Sequence, residues 1–283
     1  MIFKLAYFLM EKAVILFYIC GIVLKFYSFT FCFLFVSTCL FAQDTTKRQA
    51  KPEYRNIVQI TLNYARHAPM GTMKERFGAS NTYGIGTGYK FGHNWQVNAG
   101  LDLMFGGKVK ENNMFDSITG ASRSMIDANG NLAVVRLYER GYMFHFDFGK
   151  IIQMDRIHKN SGLLFTGGVG MMSHKIKFQF TRNIMPQLEN GIYKGYDRMS
   201  NGLMLRGFAG YQRMEPDELF SFYAGIEYLR GYTRSRRSLN YDTRLPDNRL
   251  RNDILIGIKA GVIFTINGRK AGEKKGEEEK FYQ

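Results

Sequence analysis

The sequence predicts an all-β protein, an eight-stranded antiparallel up-and-down transmembrane β-barrel. Three observations predict it: apolar and polar residues alternate in eight successive segments, the links between those segments are alternately short and long, and the polar faces are rich in glycine. Composition agrees. The 283 residues include 30 Gly, 17 Tyr and 24 Phe against 5 Pro, a mixture that favours twisted strands and tight turns over helices.

Residues 1–42 read as an export signal. Lys25 gives a basic flank, Phe26 to Phe41 an apolar run, and Ala42 a small residue before a polar stretch. Cleavage is expected after Ala42; the alternative is an uncleaved anchor within Ala13 to Ala42. A lipid-modified Cys39 fits less well, because Thr38 stands where Gly, Ala or Ser is usual. Cys20, Cys32 and Cys39 all precede the cleavage point, so the mature chain is expected to lack disulfides, thiolate metal sites and cysteine nucleophiles. Residues 43–55 are expected to be a linker.

The barrel is expected over residues 56–267. In its first strand Val58, Ile60, Leu62 and Tyr64 alternate with Gln59, Thr61 and Asn63. The second strand, Tyr83 to Phe91, and the third, Trp95 to Leu103, are joined by a tight turn at Gly92-His93. The fourth runs from Tyr142 to Phe148, and the fifth is the Gly-rich Leu163 to Phe180. The sixth, Leu203 to Tyr211, places Met204 and Phe208 on the inward face. Phe220 to Tyr228 and Ile254 to Ile266 are the seventh and eighth. Links after even strands are short (Gly92-His93, Arg156 to Gly162, Met214 to Glu218). Those after odd strands are long (Arg66 to Ser80, Gly106 to Asn131, Thr181 to Ser200, Gly231 to Arg251). A barrel inserted from the periplasm has this asymmetry, with short periplasmic turns and long extracellular loops. Asn129-Gly130 reads as a hairpin turn extending strands three and four beyond the membrane. Leu132, where a calcium loop needs glycine, argues against a cation there. The tail, residues 268–283, is expected to be disordered.

On the polar face stand Gly84, Gly86, Gly88, Gly100, Gly168, Gly170, Gly210, Gly257 and Gly261. Small residues suit a crowded, narrow interior, which turns the apolar face outward to lipid. The competing arrangement is a soluble lipocalin-like barrel or sandwich with the apolar face inside. Tyr64, Tyr83, Phe91, Trp95, Tyr211, Phe220 and Tyr228, near strand ends, suit interfacial girdles.

Seven ionisable residues fall on the inward face: Lys90, Asp102, His145, Asp147, Arg206, Glu227 and Lys259. His145 with Asp147 or Glu227 could form an acid-base pair, yet no nucleophile accompanies them. In an interior only wide enough for side chains, such charges are expected to pair into a plug, which also argues against an open pore. Gly84-Ile85-Gly86-Thr87-Gly88 is no phosphate loop, since its glycines share one strand face and no helix follows. The five histidines lack zinc-helix spacing. No cofactor and no metal are expected. The fourth long loop carries Arg234, Arg236, Arg237, Arg244, Arg249 and Arg251 against Asp242 and Asp247, a net +4, and suits an anionic partner. The competing reading is a solvated loop whose arginines pair internally. Whole-chain charge is +15, but nucleic acid is a poor partner for an exported loop.

The architecture from about Asn56 to Ile266 resembles the small outer-membrane β-barrel family of Gram-negative bacteria. The segments Gly191-Ile192-Tyr193-Lys194-Gly195-Tyr196-Asp197-Arg198 and Arg236-Arg237-Ser238-Leu239-Asn240-Tyr241-Asp242 are similar to uncharacterised barrels from bacteria with dedicated secretion and gliding machinery. The resemblance implies residence in the cell outer membrane as a monomer among lipid. It implies no reaction, because the wider family ranges from adhesion and envelope anchoring to a few lipid-modifying enzymes, and no functional residue carries over. A non-enzymatic protein binding lipopolysaccharide or an envelope protein is the first expectation. An interfacial lipid hydrolase or acyltransferase is the second, although no histidine is followed two residues later by serine as in the known deacylase type. A narrow solute channel is the third.

Overall fold

The computed structural model describes residues 56–266 except 112–113, 117, 120–124, 134, 155–159, 181–187, 189–190 and 215–219. The expected signal segment, linker and charged tail lie outside the described residues. Alternation sets the strands: β1 (Ile57–Met70), β2 (Ser80–Lys90), β3 (Trp95–Gly106), a small hairpin of β4 (Met125–Ile126) and β5 (Leu132–Ala133), then β6 (Val135–Gln153), β7 (Gly162–Phe180), β8 (Ser200–Arg213), β9 (Phe220–Ser235) and β10 (Arg251–Ile266). All except β4 and β5 join antiparallel neighbours in chain order, and β10 pairs back onto β1, from Val58 opposite Ile266 to Met70 opposite Ile254. Closure removes both sheet edges, so backbone groups find partners without water.

The faces are inverted relative to a soluble barrel. Outward Ile258 is 71% exposed and Val169 59%, whereas inward Glu227 and Asp253 are fully buried. An apolar girdle of this extent has no place in water and matches lipid. Trp95 stacks on Phe148 at the short-turn end, centroids 4.9 Å apart, with Lys150 Nζ 4.8 Å from the indole. Toward the loops Tyr64 and Tyr83 lie 5.2 Å apart. Phe91, Tyr211 and Tyr228 are also outward and exposed; the Phe220 side chain lies outside the described residues.

Several strands run past their expected ends. β1 continues six residues beyond Tyr64 to Met70, β6 starts at Val135 rather than Tyr142, and β9 continues to Ser235 rather than Tyr228. The reason is chemical: on the outward face the apolar run gives way to Arg66, Arg140 and Arg230 while strand pairing continues. Loop 1 (71–79) contains an unexpected helix, α1 (Gly71–Arg76). The Asn129-Gly130 turn exists, but it closes the separate β4-β5 sheet and does not extend β3 and β6. Its Asp127 carboxylate accepts from the backbone N–H groups of Asn129 and Asn131, at 2.9 and 2.8 Å.

Candidate functional site

The interior is filled in layers. Under the loops lies an apolar layer of Met73 and Phe77 from loop 1, with Met104, Met143, Met172, Met204, Leu229 and Leu255 from six strands. Met204 faces inward because it belongs to this layer. At the short-turn end Ile57, Met214 and Ile263 form an apolar floor, while Phe208 packs with Ile151, Leu164 and Tyr223. Between the two layers sits a cavity of about 50 Å³ lined by polar groups including Gln59, Asn98, Thr166 and Arg206. It has room for a few waters at most.

Beside that cavity the charges close into a ring. Lys259 Nζ lies 3.2 Å from both Asp102 and Glu227, Arg206 reaches Glu227 at 2.7 Å and Asp147 at 3.0 Å, and His145 faces Asp147 at 2.9 Å and Asp102 at 3.4 Å. Carboxylates and nitrogen bases alternate around the ring, so no like charges are neighbours in it. Six of the seven inward residues named from sequence are therefore joined. Lys90 is not: it is fully buried nearer the short turns, donating to Asn160 Oδ1 at 2.7 Å.

Glycines make the ring possible. Asp102 is paired in register with Gly84, His145 with Gly100 and Gly170, Asp147 and Arg206 with Gly168, Glu227 with Gly257 and Lys259 with Gly225. A Cβ on Gly84 would fall 1.7 Å from Asp102 Oδ1, and one on Gly168 2.1 Å from Asp147 Oδ1. Asp102, Asp147 and His145, whose ring lies 2.7 Å from a Cβ on Gly100, thus lie across bare neighbouring backbone.

Sequence reasoning missed other buried polar residues. His67 Nε2 lies 2.7 Å from Glu227 Oε2, outside the ring but on its hub. Nearer the loops Asp253 holds His174 Nε2 at 2.9 Å, Thr233 Oγ1 at 2.5 Å and, from α1, Thr72 Oγ1 at 2.8 Å; Glu139 accepts from Ser80. The polar alternation Gln59, Thr61, Asn63, carried on in steps of two, reaches His67, and the parity of Gly168 and Gly170 reaches His174.

Above the apolar layer the loops are tied to one another. Gly78 N–H donates to Lys108 C=O and Lys110 N–H to Arg76 C=O, both at 2.8 Å, joining loop 1 to loop 2 (107–134). Arg76 reaches Glu111 at 3.3 Å; Arg198 of loop 3 (181–199) reaches the same carboxylate at 3.1 Å and also Asp242 of loop 4 (236–250). Arg237 grips Asp197 with two bonds, at 2.8 and 2.5 Å. Burial, with Arg251 nearby, lowers the Arg76 guanidinium to about 10, while the bond to Asp197 raises that of Arg237.

The six arginines of the expected loop cluster therefore separate. Arg251 is 3% exposed, begins β10, and is bound to Ser200 Oγ at 2.5 Å and to Asp247; Arg237 is held by Asp197. Neither is free for a partner. Arg234 is not in the loop but on the outward face of β9, which continues to Ser235; Arg244 and Arg249 are exposed in loop 4, and Arg236, also exposed, bonds Asn201.

No family model matches the sequence, and no curated protein matches it. Similar solved structures are Neisserial surface protein A, at 11% identity and TM-score 0.37 over 74% of this chain and 97% of that one, and the attachment invasion locus protein Ail of Yersinia pestis, at 12% and 0.39 over 74% and 99%. The N-terminal β-barrel domain of OprF from Pseudomonas aeruginosa is 11% identical, with TM-score 0.32 over 75% and 100%. The chain folds as an eight-stranded barrel of the outer-membrane type.

Proposed function

We propose that this protein is a monomeric, non-enzymatic barrel of the outer membrane that binds an anionic surface partner through its loops. That partner is lipopolysaccharide or an envelope protein, including a component of secretion or gliding machinery. The observation that carries the reading is the braced loop layer: ion pairs and backbone bonds tie loops 1 to 4 together, while Arg236, Arg244 and Arg249 are left exposed on it. A preorganised surface loses less ordering entropy on binding than free loops would, and arginine forks suit phosphate or carboxylate. The enzyme alternative would need His145 and Asp147 to meet substrate, yet both are engaged within the buried ring. The channel alternative would need a route past the apolar layers above and below the small cavity.

Crosslinking in intact cells from a photoreactive residue at Leu245 tests it. Capture of lipopolysaccharide or an envelope protein is expected, and Arg236→Gln with Arg244→Gln and Arg249→Gln should abolish it while heat-modifiability persists. Undiminished capture by the triple variant would remove the arginine loop from the reading. Altered lipid A in a deletion strain would favour the enzyme, and conductance in planar bilayers the channel.

A further inference from the structure

The barrel strands sort their charges by sign. All five acidic residues on them, Asp102, Glu139, Asp147, Glu227 and Asp253, are buried inside. Every charged side chain on the outward face is basic. These cations do not fall at random heights. On the loop side, the apolar band of β6 ends at Tyr142 and that of β7 at Met171, and just beyond them stand Arg140 and Lys175, then Arg136 and Lys177.

Arg140 and Lys175 are direct partners in the β6-β7 register, and Lys177 lies opposite Tyr138, one outward position from Arg140. Like charges directly opposite on neighbouring strands destabilise a sheet. No outward carboxylate on these strands offsets them. The Arg140 guanidinium is held 5.1 Å from both the Phe105 and Tyr138 rings, which fixes it at the level where aromatic side chains meet lipid headgroups. Four cations on two adjacent strands, facing sideways at the top of an apolar wall, meet the headgroups of their own leaflet rather than a partner above the loops.

We infer that the outward face of β6 and β7 is a binding site for a phosphorylated lipid of the surrounding leaflet, with Arg140, Lys175 and Lys177 contacting headgroup phosphates and Tyr142, Phe144 and Met171 lying along its acyl chains. The inference rests on the membrane placement proposed above but not on the arginine loop. A lipid carrying two phosphates fits best, because the cations are spread over two strands and more than one rung.

The test compares refolded full-length protein in phosphatidylcholine vesicles with and without bis-phosphorylated lipid A, at low salt. For the parent, lipid A should be retained through detergent extraction and seen by native mass spectrometry, and it should raise the denaturant midpoint. A cation beside an anionic surface contributes about fivefold, so Arg140→Gln with Lys175→Gln and Lys177→Gln should lower retention by about tenfold to a hundredfold. In pure phosphatidylcholine the variant should be at least as stable as the parent, since repulsion is relieved; that arm separates loss of a site from loss of folding. Equal retention by parent and variant would overturn the site. So would the same midpoint gain from inorganic pyrophosphate in solution, which would show a free-anion site instead. Failure of the parent to insert into either vesicle would overturn the membrane placement itself.

Discussion

Glu227 is the hub of the interior. Lys259, Arg206 and His67 all reach its carboxylate, at 3.2, 2.7 and 2.7 Å, and it is fully buried. Glu227→Gln keeps the shape and removes one negative charge. Lys259 is then left with Asp102 alone and Arg206 with Asp147 alone, each in a site without bulk water. Removing one partner from a buried pair typically costs about 3 to 5 kcal/mol, because the remaining charge stays desolvated. With a denaturant slope of about 2 kcal/mol per molar urea, the unfolding midpoint in vesicles should fall by about 1.5 to 2.5 M. Adding Lys259→Met restores the balance of charge, and the double variant should recover more than half of the loss, a coupling that a double-mutant cycle measures directly. An unchanged midpoint for Glu227→Gln, or a double variant whose loss equals the sum of the single losses, would refute the ring as a coupled unit.

Gly168→Ala should lower stability or block folding, since its Cβ would collide with Asp147 and the Phe146 carbonyl, whereas Gly167→Ala, whose Cβ meets nothing within 4 Å, should be neutral; urea midpoints compare the two. Phe146→Lys, on the lipid face of β6 between Lys150 and Arg140, should cost about 2 to 4 kcal/mol or prevent assembly, read as loss of the heat-modifiable band. Gly257→Ser should also be costly, because its Cβ would lie 2.2 Å from the Arg66 carbonyl. Arg237→Gln should free loop 4 from Asp197 and speed its proteolytic nicking in the folded protein, leaving the barrel band intact.

The membrane-crossing part of the fold was legible because lipid imposes a strict period of two: outward Phe144, Phe146 and Phe148 alternate with His145 and Asp147. Legibility ended where the outer face leaves lipid. At Arg66, Arg140 and Arg230 the apolar signal stops although pairing continues, so the sequence pattern ends before the strands do. Inward charges were legible as a set, but not the ring: which acid meets which base depends on register, as in Lys259 reaching Asp102 across 157 residues. The Met73 and Phe77 layer was hidden in a long loop, with only the spacing of Met70, Met73 and Phe77 to betray a turn of helix. For the loop arginines, only the fold shows that Arg237 and Arg251 are held internally.

The glycines opposite the ring tie distant positions together by volume. Asp102 and Gly84, His145 and Gly100, and Asp147 and Gly168 each share one space across a strand pair. Bulk can enter either member of such a pair only as it leaves the other. Among diverging relatives, side-chain size at positions 84 and 102 and at 100 and 145 should therefore be inversely correlated, whereas 168 should stay glycine because the Phe146 carbonyl also fills its Cβ space. A combinatorial library over Gly84 and Asp102, selected for folding, should return small-with-large combinations in both orders and exclude large-with-large. The barrel's diameter, set by its strand number, thus acts on evolution as a constraint on summed volume across paired strands rather than on the identity of any one residue.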